Sequence, residues 1–335
     1  MSKKTVVGTG GELLMHQLVA QGVDYAFTNT GSAEAGFFDA FLTVPGVQPI
    51  LLLSESLVMS AADGFAKAAR KPSFVNVHLA AGTRQGSGQL QNAYFDGTPM
   101  VVTAGMRDSA SFGDHSTLGA SSGHSQMGAV ADITKHRWEV TDARGIPMVT
   151  RRAFKEALTM PTGPVYLAYS APALDATDVE GTIQAAEPLE MAEIPNGSTM
   201  EKVHDALLNA ENPLLIVGPD VRIAGAQAEL LGLAENYALP VAVGFFDYGA
   251  FSPKHPNYIG MLEAMPEATY DVVCCVGYRQ NTRARPEDEM FTGADTVIGL
   301  GHDPAMMGNT FALDLDLWGN VRHTLTALNA LWKPD

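Results

Sequence analysis

The side chains able to bind or catalyse fall where apolar runs stop. The stretch Leu51 to Gly105 reads LLLSESLVMSAADGFAKAARKPSFVNVHLAAGTRQGSGQLQNAYFDGTPMVVTAG. One apolar run, Ile50 to Leu53, ends at Ser54-Glu55. A second, Phe74 to Leu79, carries His78 and ends at a glycine-rich turn with Gly82 and Thr83. A third covers Met100 to Ala104. Upstream, the run Val23 to Thr28 opens into the turn Asn29-Thr30-Gly31-Ser32. A carboxyl, an imidazole and hydroxyls in these places suit ligand binding, because open α/β sheets hold ligands outside the carboxyl ends of their strands. Taken singly, each has a plainer reading. Glu55 is a favourable charge at a helix start, Ser32 caps a helix from Ala33 to Leu42 with Glu34 in its first turn, and His78 is a hydrogen-bonded structural residue. The spacing of Gly82, Gly86 and Gly88 is not a dinucleotide fingerprint, and no Walker loop or zinc-type His or Cys spacing occurs.

The elements that must position these residues alternate. Strand, helix, strand, helix, strand across Ile50 to Ala104 is the pattern of a parallel sheet with helices on its faces. A first helix spans Gly11 to Gln21, with Leu13, Leu14, Leu18 and Val19 on its apolar face and Gly22 after its end. Arg107 to Met127 is rich in Ser, Gly and His and reads as a long polar loop, functional or mobile. Helix Met148 to Leu158 and strand Pro164 to Tyr169 follow. Ala171 to Asn196, with three prolines, reads as an interdomain linker. A second α/β unit begins near Ser198, with strands Leu214 to Val217, Pro240 to Val243, Val272 to Val276 and Thr296 to Leu300 each running to a glycine, and a closing helix Val321 to Leu331. The expected fold class is therefore α/β with two doubly wound parallel-sheet domains, at 1–172 and 198–335, joined by 173–197.

Composition narrows the partners. At 46% hydrophobic and 17% charged residues the chain suits a compact globular protein. A net charge of -16 argues against nucleic acid or an anionic membrane as partner. Cys274 and Cys275 are neighbours on a strand, so they point to opposite faces and are poorly placed to pair. They read as reduced core residues of a cytoplasmic protein. The stretch MSKKTVVGTGGELL lacks the apolar core of a signal peptide, and no segment is long and apolar enough to span a bilayer.

The order of the motifs is more specific than any one of them. TNTGS, then SES before a small-residue helix, then KPSFVNVHLAAGT and NAYFDGTPMVVTAG, resembles the pyrimidine-binding domain of thiamine diphosphate enzymes. KHRWEV, RRAFKEAL and GPVYLAY resemble the end of that domain. NPLLIVGPDV, LAENYALPVAV and FSPKHPNYIGM resemble the family's central, Rossmann-like domain. Nearly all of the chain is covered, and the benzoylformate decarboxylase and acetolactate synthase branch is the most similar.

The resemblance implies roles. Glu55 falls on the family's catalytic glutamate, whose carboxyl meets N1′ of the aminopyrimidine ring and helps draw the proton from C2 of the thiazolium; burial among Leu53, Leu57 and Val58 would suit it to share that proton. His78 and Ser32 fall on residues that bind the substrate carboxylate and move protons at the carbonyl carbon. Thr30, Gly31, Gly82 and Thr83 lie where backbone approaches the cofactor. Thr30 stands where the family usually has proline, Arg84 where a second glycine is common, and Met106 where many relatives have glutamine. The family's third domain carries a Gly-Asp-Gly and a downstream Asn that hold magnesium and the diphosphate. No Gly-Asp-Gly occurs in these 335 residues. The expectation is a subunit of a split enzyme acting on a 2-oxo acid, by decarboxylation or carboligation, with thiamine diphosphate and Mg2+ bound mainly by a partner chain in a heterotetramer. The small residues of Ser60 to Ala69 suit such an interface. Two alternatives are a non-catalytic regulatory or binding subunit of the same fold, which would have no need of Glu55, Ser32 and His78 together, and a nucleotide site in the second unit, whose Gly218-Pro219 turn lacks a phosphate fingerprint.

Overall fold

The structure is a computed structural model. It describes residues 3–107, 118–119, 125–187, 189–244, 247–262, 269–279, 291, 293–309 and 311–333. The chain forms two compact units, Met1–Leu189 and Glu190–Asp335.

In the first unit, β1 (Lys4–Gly8) leads into α1 (Gly10–Ala20). Thr9 and Glu12 form a reciprocal capping box at the start of α1, satisfying two of its free amides. There follow β2 (Tyr25–Asn29), α2 (Ala35–Thr43), β3 (Gln48–Leu51), α3 (Glu55–Ala69), β4 (Ser73–Val77), α4 (Leu79–Asp96) and β5 (Met100–Met106). Then come β6 (His136–Val140), α5 (Ile146–Leu158), β7 (Val165–Ser170), α6 (Ala171–Asp175) and β8 (Val179–Ile183). Six strands form one parallel sheet in the order β3-β2-β4-β5-β7-β6, and β8 pairs antiparallel with β1. Strand residues alternate between two cores. Phe74, Val101, Leu167 and Tyr169 pack with Leu14 of α1, Phe37 of α2 and Phe154 of α5. Val75, Val77, Val102 and Tyr166 pack with Val58 and Met59 of α3 and Leu90 of α4.

Two expectations change here. The glycine-rich turn after His78 is the first turn of α4, which runs unbroken through Gly82, Gly86 and Gly88. Two of these glycines serve helix contact: a Cβ at Gly82 would lie 2.9 Å from Glu55 Oε1, and one at Gly86 2.9 Å from Met59 Cγ. Part of the expected linker is also ordered, since Val179 to Ile183 is the strand β8. Of the polar loop, residues 108–117 and 120–124 lie outside the described residues.

The second unit holds α7 (Gly197–Asn209), β9 (Leu214–Val217), α8 (Asp220–Ile223), α9 (Gln227–Asn236), β10 (Val241–Val243), β11 (Tyr258–Met261), β12 (Val272–Val276), β13 (Thr296–Gly301), β14 (Leu315–Trp318) and α10 (Val321–Leu331). Its strands are parallel in the order β11-β10-β9-β12-β13-β14. That order reverses between β9 and β12, the place where a doubly wound sheet opens a crevice. Here the ends of β9 and β12 come close together. A Cβ on Gly218 would come within 2.4 Å of the Gly277 carbonyl oxygen and of Tyr278 Cα. Beside them Arg279 Nε donates to Asp220 Oδ1 at 2.8 Å, and His302 Nδ1 lies 3.6 Å from Asp220 Oδ2, all three buried. Cys274 and Cys275 are free and enter different cores, as their adjacency requires. Burial pushes the Cys274 thiol up to about 12. No helix among the described residues is long and apolar enough to cross a membrane.

Candidate functional site

Because β3, β2, β4 and β5 are parallel neighbours, their carboxyl ends share one edge. Glu55 follows β3, Thr30 to Glu34 follow β2, His78 follows β4, and Gly105 lies at the end of β5. Glu55, Thr30, Gly31, Ser32 and His78 therefore lie along the same edge.

The centre of this edge is a residue that sequence reasoning assigned only to a helix start. Glu34 does not stay in the first turn of α2. It closes a short 3-10 turn, Ser32–Glu34, and its side chain is fully buried. Oε1 accepts from the Gly105 amide at 2.7 Å and the Leu79 amide at 3.4 Å. Oε2 accepts from the Gly31 amide at 3.1 Å and lies 2.8 Å from His78 Nδ1. One carboxylate thus ties together the ends of β2, β4 and β5 and meets the first amide of α4, where the helix dipole favours an anion. The available signal was the spacing from Gly31 to Glu34, that of a capping box.

Glu34 also orients His78. An acceptor on Nδ1 holds the proton there and leaves Nε2 as the unprotonated nitrogen, the same logic by which a carboxylate fixes an imidazole elsewhere. Gly31 makes the approach possible: a Cβ there would lie 2.5 Å from His78 Nδ1. Gly31 has φ -148°, ordinary extended backbone, so its smallness is needed for space and not for conformation. Ser32 is exposed and makes no capping hydrogen bond; Gly31 takes the cap position instead. Thr30 Oγ1 comes only within 3.5 Å of the Gly31 carbonyl. Thr83 is fully buried and its hydroxyl is committed inside the protein, to the Leu79 carbonyl at 2.9 Å and the Tyr166 hydroxyl at 2.7 Å.

Glu55 is the first residue of α3 and is 8% exposed. Its expected neighbours are only partly right. Val58 is fully buried, but Leu53 and Leu57 are 87% and 55% exposed, because they turn away from the sheet. The wall beside Glu55 comes instead from α4, where Gly82 leaves room for the carboxyl. α3 and α4 are held together by Lys67 between Asp63 and Asp96, at 2.8 and 2.5 Å, and by Ser56 Oγ donating to the Gln85 carbonyl. Among the described residues the Glu55 carboxylate has no hydrogen-bond partner, whereas Glu34 has four. No group of His, Cys, Asp and Glu among the described residues could hold a metal ion.

Two family profiles match the chain: thiamine pyrophosphate enzyme, N-terminal TPP binding domain, over residues 8–129, and thiamine pyrophosphate enzyme, central domain, over residues 200–328. The chain belongs to the thiamine pyrophosphate enzymes and carries their N-terminal and central domains. It is 32% identical to a benzoylformate decarboxylase of Pseudomonas aeruginosa over 99% of this chain and 62% of that protein. It is 27% identical to an acetolactate synthase large subunit of Buchnera aphidicola, over 98% of this chain and 58% of that one. The fold matches the crystal structure of benzoylformate decarboxylase from Polynucleobacter necessarius with a TM-score of 0.83 at 23% identity, over 98% of this chain and 62% of the other. The chain thus spans about three fifths of the length of these relatives.

Proposed function

We propose that the chain is one subunit of a split thiamine diphosphate-dependent enzyme acting on a 2-oxo acid in the cytoplasm, by decarboxylation, carboligation or both. A second subunit supplies the part that holds the diphosphate and magnesium, in a heterotetramer with two copies of each. The observation that carries this reading is Glu55: a nearly buried carboxyl at a helix start, facing α4 across a glycine, with no partner of its own among the described residues. The carboxyl oxygens of Glu55 are not among the buried unpartnered atoms, so they are open at the surface to a ligand nitrogen. A carboxyl able to accept, or when protonated to donate, suits the ring nitrogen of an aminopyrimidine.

When bound, thiamine diphosphate supplies an electron sink for the carbon beside the carbonyl. Glu55 holds or gives up a proton at the ring nitrogen. His78, fixed through Nδ1 by Glu34, offers Nε2 as donor or acceptor to the substrate. Ser32, exposed beside it, adds a hydroxyl for a carboxylate. Support for a second subunit comes from the rim: Leu51, Leu53 and Leu57 are exposed next to Glu55. Gly64 on α3 and Gly88 on α4 have no atom within 4 Å of where a Cβ would sit. Apolar side chains grouped around a functional carboxyl mark a surface that is covered in use.

Titration of thiamine diphosphate and magnesium into the chain alone should give roughly millimolar binding at best, since only the ring is held. Micromolar binding at one site per chain, or decarboxylation without a second protein, would sink the split-enzyme reading. In the complex recovered by co-purification, Glu55→Gln should slow exchange of the cofactor's C2 proton about a hundredfold or more. Exchange at the wild-type rate, followed by NMR in deuterated water, would remove Glu55 from this role.

A further inference from the structure

Leu79 is the first residue of α4 and adopts φ +53°, a left-handed conformation that costs a side-chain-bearing residue about 1–2 kcal/mol. It is fully buried, directly after His78. Such a conformation persists only where the surroundings over-determine it. Here they form a closed ring of hydrogen bonds. The Leu79 amide donates to Glu34 Oε1 at 3.4 Å, and the Leu79 carbonyl accepts from Thr83 Oγ1 at 2.9 Å. Thr83 Oγ1 is 2.7 Å from the Tyr166 hydroxyl. Gln126 Nε2 reaches that hydroxyl at 2.7 Å and the Gly105 carbonyl at 3.1 Å. The Gly105 amide returns to Glu34 Oε1 at 2.7 Å.

The proton count gives the ring a direction. Gln126 Nε2 can only donate. The one proton of Thr83 goes to the Leu79 carbonyl, so Tyr166 must donate to Thr83 while accepting from Gln126. Each hydroxyl donates once and accepts once. Burial pushes the Tyr166 phenol well above its ordinary value, with Thr83 and Gln126 pulling the other way, so the ring stays protonated across the neutral range.

We propose that Tyr166, Thr83 and Gln126 are positioning residues: through the Leu79 backbone and Glu34 they fix the tautomer and aim of His78. The proposal rests on the reading of His78 as the substrate-facing base, but its test needs neither substrate nor cofactor. The molecule supplies its own control. Tyr169, also on β7 and equally buried, bonds Thr150 Oγ1 at 2.7 Å on the opposite face of the sheet, outside the ring.

The experiment is long-range nitrogen–proton NMR of His78 in the isolated chain, at alkaline pH where an imidazole is neutral. Wild type should show the Nδ1–H tautomer. Tyr166→Phe and Thr83→Val should each move the tautomer ratio about fivefold or more, the equivalent of roughly 1 kcal/mol for one lost hydrogen bond. Thr83→Ser keeps the hydroxyl and should restore the ratio; Tyr169→Phe should leave it unchanged. If Tyr166→Phe fails to fold, Gln126→Leu and Thr83→Val carry the test. An unchanged ratio in folded ring variants overturns the proposal, as does an equal shift in Tyr169→Phe. Loss of activity in Glu55→Gln is read separately, so failure of the ring and failure of the enzymatic reading are distinguishable.

Discussion

Replacing Glu34 by glutamine keeps the shape and turns one acceptor oxygen into a donor. Two placements of the amide are open. With nitrogen at the Oε1 position it faces the Gly105 and Leu79 amides, both buried, and orphans two donors. At about 1–3 kcal/mol for each unsatisfied buried group, that costs about 2–6 kcal/mol. With nitrogen at the Oε2 position it faces the Gly31 amide and His78 Nδ1, both only partly buried. His78 can then turn acceptor by moving its proton to Nε2, so one donor is orphaned, at about 1–3 kcal/mol. The second placement wins. Glu34→Gln should therefore lose about 1–3 kcal/mol in denaturant unfolding and invert the His78 tautomer, from Nδ1–H to Nε2–H. Stability and nitrogen NMR on one sample read both. A variant that keeps Nδ1–H and loses less than about 1 kcal/mol would refute the claim that Glu34 is held by donors alone.

Gly31→Ala should displace His78, since the new Cβ falls 2.5 Å from Nδ1, and overpacking of this kind costs about 1–3 kcal/mol; an unshifted His78 spectrum would contradict it. Gly64→Ala has opposite effects in the two assays. The chain alone should gain about 1 kcal/mol, because the site is an open helix interior, while association with the second subunit weakens. Equal or tighter association would show that this face is not the interface. For His302, burial lowers the pKa, Asp220 pulls it up and Arg279 pushes it down. The folded unit therefore prefers the neutral ring, a preference present above the ordinary histidine pKa and lost as pH falls through the lowered one. Denaturant midpoints between about pH 7 and pH 5 should fall, and His302→Leu should flatten that slope. Aspartate protonation alone would leave the slope intact in the variant.

The two parallel sheets were legible because buried strands write themselves as apolar runs, several of them running to a glycine such as Gly218, Gly244 or Gly277. The placement of Glu55 and His78 just past strands was legible because apolar runs stop at or beside them. The Glu34 anchor was not, since its partners Gly31, Leu79 and Gly105 contribute only backbone amides, which leave no trace in residue type. The internal role of the Thr83 hydroxyl was hidden for a related reason. Its place in a glycine-rich segment suggested backbone near a ligand, whereas its hydroxyl is buried against Tyr166, a contact 83 residues away in sequence. The exposure of Leu53 and Leu57 was equally hidden: whether a leucine beside a strand end turns in or out depends on where the helix axis points.

The two carboxylates on one sheet edge illustrate how environment separates roles. Glu34 has every lone-pair direction met by a donor, so any change in its charge or position breaks several contacts at once; such a group serves as a fixed point. Glu55 is almost as buried but has no hydrogen-bond partner among the described residues, so under the proposed function its carboxyl is the one left to meet a ligand. Glycine makes both arrangements possible in the same way. Gly105 admits Glu34, Gly31 admits His78 and Gly82 admits Glu55, each because a Cβ would fall within 3 Å of the functional atom. None of the three needs a left-handed backbone. At this edge glycine serves as cleared space for side chains, which is why a chain with the same turns but alanine at these positions would keep its fold class and lose its site.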